Sequence, residues 1–354
     1  MANSPIAMIK EYFGYFADRL RNKKATFVLV IATTDVSLIP GITIAGASPE
    51  FTHFTPAADA EFLVTGRVYS MNSIPVSPTG LPSPVVLARA VNELLNFPVL
   101  VADAGSRVKP RIPLIDLGGE PGKDIRVEAV RKEVAEEVLR RSELLGKELS
   151  KATDLLLIGE SVPGGTTTAM ALLQALGYDA LGKTSSASPD NPKDLKVRIV
   201  NEALRNLGNV SSPLEVAAKV SDPMLIAVAG LVNGFRKDVL LCGGTQMMAA
   251  AALIKAMYGN EALSRIAIGT TRWVIEDPSA DALGLAKQVG VRVLSAQLEF
   301  SKSRYEGFRM YDKYYVKEGV GAGGLAVTAM AKGYDKDVIL AKTEEIYSGL
   351  VNRV

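Results

Sequence analysis

Residues 153–177 read "TDLLLIGESVPGGTTTAMALLQALG". The first eight are a short apolar run ending on Glu160, "SVPGGTTT" follows, and "AMALLQALG" continues with helical composition. A short apolar run bounded by Pro, Gly and Thr reads as a buried strand, and the glycine pair as the turn into a helix. The same unit recurs at 238–246, where "DVLLCGGTQ" leads into "MMAAAALIKAM". "SRIAIGTT" (264–271) and "VRVLSA" (291–296) are two further strands, and "TFVLVIA" (26–32) and "FPVLVAD" (97–103) two upstream ones. Strands alternating with helices predict an α/β fold: a Rossmann-like, mostly parallel sheet with helices on both faces. In such folds ligands bind beyond the carboxyl ends of the strands, so the loops after 153–158, 238–242 and 264–268 should share one face.

The rest of the chain is less regular. "DIRVEAVRKEVAEEVLRRSELLGKELS" (124–150) has helical periodicity with charges on one face, and a helix is expected over about 5–20. Residues 40–84 are rich in Gly, Pro, Ser and Thr and predict a long irregular, lid-like region. The expected division is an α/β core over 25–332, with helical terminal segments, 1–24 and 333–354, forming a small subdomain.

Composition bounds the function. Of 354 residues 48% are hydrophobic and 22% charged, with net charge +2 from 40 basic and 38 acidic residues. This suits a globular protein with a substantial core and leaves no basic footprint for nucleic acid or an anionic membrane. Residues 25–48 are largely apolar, but Asp35, Pro40 and two glycines break them into a strand and a loop rather than a membrane span. The first twenty residues have no continuous apolar stretch followed by a cleavage site, so no signal peptide is read. Cys242 is the one cysteine and His53 the one histidine. They exclude an intramolecular disulfide and a Cys/His metal cluster, and a cytoplasmic location is expected.

Three loops can carry chemistry. "GESVPGGTTTA" (159–169) puts Gly164, Gly165, Thr166 and Thr167 at a helix N-terminus, where amides and the helix dipole favour an anion. The same residues serve equally as a plain N-cap. "CGGTQ" makes the argument again with Gly243, Gly244, Thr245 and Gln246, against a plain tight turn. "KEGVGAGG" (317–324) sets Glu318 before Gly319 and Gly321. Glu318 is there either an acidic helix cap or a base held against a ligand. Asp103 and Glu160 are further carboxylates at strand ends. His53, Cys242 and the basic cluster "RVKPR" (107–111) read as packing or surface residues.

The order of these motifs resembles the nicotinate-nucleotide–dimethylbenzimidazole phosphoribosyltransferase family, in a divergent branch of archaeal or cyanobacterial type. "GESVPGGTT" is similar to that family's Gly-Glu-…-Gly-Asn-Thr-Thr loop, with Gly165 in the asparagine position. "DLKVRIVNEAL" (194–204) and "PLEVAAKVSDPMLIAVAGLV" (213–232) resemble its Lys-Val helix and its Pro-Leu-…-Ala-Gly segment. "KEGVGAGG" resembles its catalytic Glu-Gly-Thr-Gly-Ala loop. Two places depart from the pattern: Ala104 stands at the histidine of an Asp-His-Gly loop, and "CGGTQ" replaces a strand end in Asp-Gly-Phe.

The resemblance implies transfer of a phosphoribosyl group from nicotinate mononucleotide to an azole base, in synthesis of the lower ligand of cobalamin. Glu318 would be the general base, and Glu160 would favour positive charge on the ribosyl transition state. The loops with Gly159, Gly164, Gly165, Thr166 and Thr167, and with Gly243, Gly244, Thr245 and Gln246, would hold phosphate and ribose. Gly319, Gly321 and Asp103 complete the expected site. No metal or cofactor is implied, because the leaving pyridinium is already cationic, and a homodimer is. Two alternatives stay open: the same donor with another base such as adenine, and a nucleotide-binding protein without catalysis. A simple binder would not need Glu318.

Overall fold

Eight strands join one sheet in the order β1-β8-β7-β6-β5-β2-β3-β4, all neighbours parallel except the antiparallel pair β1–β8. The computed structural model describes residues 8–46, 48–72, 74–77 and 79–352. The strands are β1 (Ile9–Tyr12), β2 (Ala25–Ala32), β3 (Val99–Gly105), β4 (Ile115–Asp116), β5 (Leu155–Ser161), β6 (Asp238–Cys242), β7 (Ile266–Thr271) and β8 (Arg292–Ala296). The helices before β5 are α1 (Thr55–Thr65), α2 (Pro84–Leu95) and α3 (Lys132–Ala152). Between β5 and β6 lie α4 (Gly165–Ala175), α5 (Lys193–Arg205), α6 (Pro213–Val220) and α7 (Pro223–Phe235). Then come α8 (Thr245–Leu263), α9 (Arg272–Ile275), α10 (Ala282–Val289), α11 (Glu306–Arg309), α12 (Ala322–Ala331) and α13 (Lys336–Val351).

The α/β, mostly parallel architecture expected from the strand–glycine–helix units is the one observed. Central strands are buried on both faces, and their side chains sort by the two-residue period of a strand. Val28, Val30 and Ala32 of β2 and Leu156 and Ile158 of β5 enter the core under α3, α4, α7 and α8. Phe27, Leu29, Ile31, Leu155 and Leu157 enter the core on the opposite face, under α1, α2, α12 and α13. The same alternation carries past the apolar run, so Glu160 belongs to the first face and Ser161 to the second. The chain builds β2, β3 and β4 outward in one direction and β5 to β8 in the other. That reversal, between β2 and β5, opens a crevice at their carboxyl ends.

Three segments depart from expectation. The opening segment is not a helix over 5–20: β1 adds an edge strand to β8 and a short 3-10 turn spans Ala17–Leu20, while residues 5–7 lie outside the described residues. Pairing with the free edge of β8, together with burial of Ile9, Phe16 and Leu20, overrides local periodicity. The helix expected from 124 begins only at Lys132. Asp124 turns the chain first, its carboxylate accepting from the Arg126 amide at 2.9 Å. The irregular region 40–84 contains a regular helix, α1. Pro56 lies in its first turn, where a missing amide costs nothing, and Gly66 ends it with φ 73°.

Candidate active site

A cavity of about 400 Å³ opens at the carboxyl ends of β5, β6 and β7. Glu160, Gly164, Gly165 and Thr166 line it from the β5–α4 turn, and Gly244, Thr245 and Gln246 from the β6–α8 turn. Glu318 and Gly319 line it from the loop before α12. The three loops singled out in the sequence therefore meet in one place, as the parallel topology requires.

Glu318 is both a helix cap and a wall of the cavity. Its Oε1 accepts from the amides of Gly319 (3.1 Å) and Gly323 (3.0 Å), and its Oε2 from Thr270 Oγ1 (3.3 Å). A Cβ on Gly323 would stand 2.2 Å from Glu318 Oε2, so only glycine lets the first turn of α12 close around the carboxyl. Burial pushes Glu318 up to about 7, while the Gly323 and Gly319 amides and the Thr270 hydroxyl pull the other way. Burial, then the neighbouring charges of Asp222 and Glu318, push Glu160 higher, to about 8. Gln246 Nε2 donates to Glu160 Oε2 at 3.0 Å, and the Val162 amide donates to the same oxygen. At neutral pH both carboxyls are thus biased toward their protonated forms, Glu160 more than Glu318.

The Glu318 loop is strained. Tyr314, Val316, Lys317 and Val320 all have positive φ, 65°, 66°, 58° and 54°. That region is unfavourable for any side chain and most of all for β-branched valine. The amides of Lys317 and Glu318 donate two residues back, to Tyr315 and Val316 carbonyls, giving two successive tight turns. Long-range contacts hold the shape. The Val316 amide donates to the Ala187 carbonyl (2.7 Å), the Val320 amide to the Glu160 carbonyl (2.9 Å), and Thr271 Oγ1 to the Lys317 carbonyl (2.7 Å). The Lys317 ammonium is fully buried against Asp277 at 2.8 Å.

Other expected site residues take different places. Gly159 and Gly321 pack together beneath the site: a Cβ on either would stand within 2.8 Å of the Phe27 ring. Gly243 lies against Met247, and Thr167 Oγ1 is buried without a partner among the described residues. Asp103 does not reach the cavity. Its Oδ1 caps the amides of Gly105 and Ser106, and its Oδ2 meets Lys109 at 2.5 Å, a turn-forming role at the end of β3. Cys242 is buried against Gly324, and burial raises its thiol well above the ordinary range. Loop 40–84 supplies the apolar part of the cavity wall through Ile42, Phe51, Met71 and Leu81.

Sequence reasoning passed over several groups. Asp222, at the start of α7, accepts from Thr168 Oγ1 at 2.5 Å and adds charge beside Glu160. Lys196 of α5 is buried and donates to the Ser185 carbonyl at 2.8 Å, which holds the loop that reaches Lys317. Both lie in stretches quoted above for their resemblance. Asp59 and Asp277 carried no signal, because nothing local marks a carboxylate that folding brings from a distant helix or loop.

A phosphoribosyltransferase family model matches residues 85–270, just over half of the chain. The UPF0284 protein of Sulfurisphaera tokodaii is 54% identical over 98% of this chain and 99% of its own length. A UPF0284 protein of Saccharolobus islandicus is 57% identical over 97% and 98%. A nicotinate-nucleotide–dimethylbenzimidazole phosphoribosyltransferase from Thermus thermophilus shares the fold with TM-score 0.60 at 19% identity, covering 91% of this chain and 83% of that one. A second structure from that organism, CobT, superposes with TM-score 0.62 at 20% identity, covering 94% and 90%. Among the described residues no helix is long and apolar enough to cross a membrane. The chain belongs to the phosphoribosyltransferase family, in the divergent archaeal branch of UPF0284 proteins.

Proposed function

We propose that this protein transfers the phosphoribosyl group of nicotinate mononucleotide to an azole base, forming an α-ribazole-phosphate-type product and nicotinate for the lower ligand of cobalamin. The observation that carries the reading is Glu318, buried in the cavity wall, fixed by two amides and pushed up to about 7. A general base works best with a pKa near the working pH.

The azole ring nitrogen attacks C1′ of the ribose. The C1′–N bond to the pyridinium breaks, and its electron pair neutralises the departing nicotinate ring. Glu318 takes up the azole N–H proton. Glu160 faces the same cavity, and a cationic donor there draws its proton off, leaving a carboxylate beside the positive charge that builds on the ribosyl carbon. The N-termini of α4 and α8, with Gly164, Gly165, Thr166, Gly244 and Thr245, suit the phosphate and ribose hydroxyls. Nothing in the sequence composition calls for nucleic acid or membrane as a partner.

The test is chromatography of the purified protein with nicotinate mononucleotide and a panel of azoles. Nicotinate release that depends on an azole is the expected result. Binding of the mononucleotide with no release for any azole would make the chain a nucleotide binder on a transferase fold.

A further inference from the structure

One carboxyl of the cavity has no task in the transfer just described. Asp59 of α1 lines it, is 5% exposed, and forms no ion pair among the described residues. Its Oδ2 accepts from Ser161 Oγ at 2.7 Å and its Oδ1 from Ser83 Oγ at 3.2 Å. Ser161 follows Glu160 in β5 and points to the opposite face of the sheet. Ser83 precedes Pro84, whose ring lies 3.1 Å from where a Cβ of Gly319 would be. Asp59 and Glu318 both act on the buried Tyr311, whose hydroxyl donates to the Pro82 carbonyl at 2.8 Å. Asp59 and the base therefore line one cavity and both lie close to Tyr311.

The chemistry of this corner is one-sided. Asp59 shares this cavity with an apolar lining that includes Ile42, Ile44, Phe51, Met71, Val76 and Leu81. A planar base fits such a lining, and Asp59 is the carboxyl there that the transfer does not use. Both serine hydroxyls donate to the carboxylate, which leaves about two of its roughly four acceptor positions open. Tying α1 to two serines needs no charge, and burying a carboxylate without a cation is costly. An acceptor-only group with free lone pairs, in such a cavity, is matched by an N–H donor on the ligand.

We propose that Asp59, oriented by Ser83 and Ser161, reads an exocyclic amino group on the acceptor, so that this branch selects an amino-substituted azole of the aminopurine or aminobenzimidazole class. The inference rests on the transfer reading for which end of the cavity takes the acceptor. The acceptor's own ring N–H is consumed at Glu318. Dimethylbenzimidazole has no second donor, and its methyl groups would leave the buried carboxylate unpaired. A site built to hydrogen-bond its ligand rejects an analogue that lacks the group far more strongly than an apolar pocket rejects a size mismatch.

The experiment compares 5-aminobenzimidazole with 5-methylbenzimidazole, nearly equal in shape, and adenine with purine. Calorimetry in the presence of ribose 5-phosphate, which cannot react, reads Kd for each without turnover. The parent protein should bind the amino member of each pair at least about tenfold more tightly. Asp59→Asn should bring the ratio close to one. Ser83→Ala, which leaves α1 intact, should shrink it, and serves if the Asp59 variant does not fold. Equal affinities within each pair in the parent, or a ratio untouched in a folded Asp59 variant, overturn the proposal. A retained amino preference without nicotinate release from any azole would contradict the transfer reading and sustain this one.

Discussion

The Val320 amide donates to the Glu160 carbonyl at 2.9 Å, fastening the Glu318 loop to the strand end that carries Glu160. The two carboxyls are therefore set at a fixed separation by backbone, not by their own side-chain contacts. Each then raises the cost of ionising the other. With no cationic ligand present, burial and like charge favour the protonated forms of both.

Glu318→Gln keeps the shape of the loop and removes the base. Transfer should fall by about 10²- to 10⁴-fold, with affinity for nicotinate mononucleotide changed by only a few fold. Single-turnover rates beside calorimetric Kd values check it. Equal rates in variant and parent would remove Glu318 from the reaction.

Transfer should decline as pH falls through about 7, because the base must be ionised to accept a proton. Stability should run the opposite way. Glu318 and Glu160 have folded-state values, about 7 and about 8, above the ordinary 4.5, so the folded form holds more protons than the unfolded one. Their contribution is fully present below pH 4.5 and is lost as pH rises toward 8. Glu160→Gln, neutral throughout, should accordingly raise Tm at pH 8 and leave it nearly unchanged at pH 5, while slowing transfer. Calorimetric scans at the two pH values decide the sign.

Lys317 and Asp277 are both inaccessible, and the pair braces a loop with four residues at positive φ. Removing one partner strands a buried charge at a cost of about 3–5 kcal/mol. Lys317→Met or Asp277→Asn alone should lower Tm markedly. The double variant should recover much of the stability and little of the activity, because the strained loop loses its anchor. Additive losses in the double-mutant cycle would show that the pair is not coupled.

Gly165 stands where a Cβ would come 2.3 Å from Gln246 Nε2. The amide that reaches Glu160 occupies the space a side chain at 165 would take. Gly165→Ala should displace Gln246 and lower transfer with little change in Tm, since a flexible side-chain end can yield. Adding Gln246→Ala should cause no further loss. A second loss as large as the first would separate the two residues.

Loop 40–84 lines the cavity with apolar side chains, two of which, Ile44 and Phe51, are about 45% exposed. A base in the cavity should cover them and slow proteolysis in this loop. Unchanged cleavage with donor and azole present would contradict a closing role.

The strands that build the site were legible because each is an apolar run leading into glycine or threonine, and Glu160, Gly164 and Gly244 follow from that rule, whereas Glu318 was marked by the glycine-rich loop after it and lies on no strand. The parallel topology then forces their loops together. Asp59 was not legible: it sits within "TPAADAEFLVT", a helix inside a region whose Gly and Pro content argued for irregular structure. Asp103 misled for the converse reason, since a carboxylate at a strand end also serves to cap its own turn. The edge strand β1 was hidden because its pairing is set by the free edge of β8 and not by its own four residues.

The central claim is that this cavity moves a phosphoribosyl group in one displacement. The direct measurement is NMR of the product formed from nicotinate mononucleotide and an azole, with nicotinate release followed in parallel. The expected result is one nicotinate per ribosylated azole, no release without azole, and the α configuration at C1′. A β product, or nicotinate released at the same rate with water alone, would contradict it.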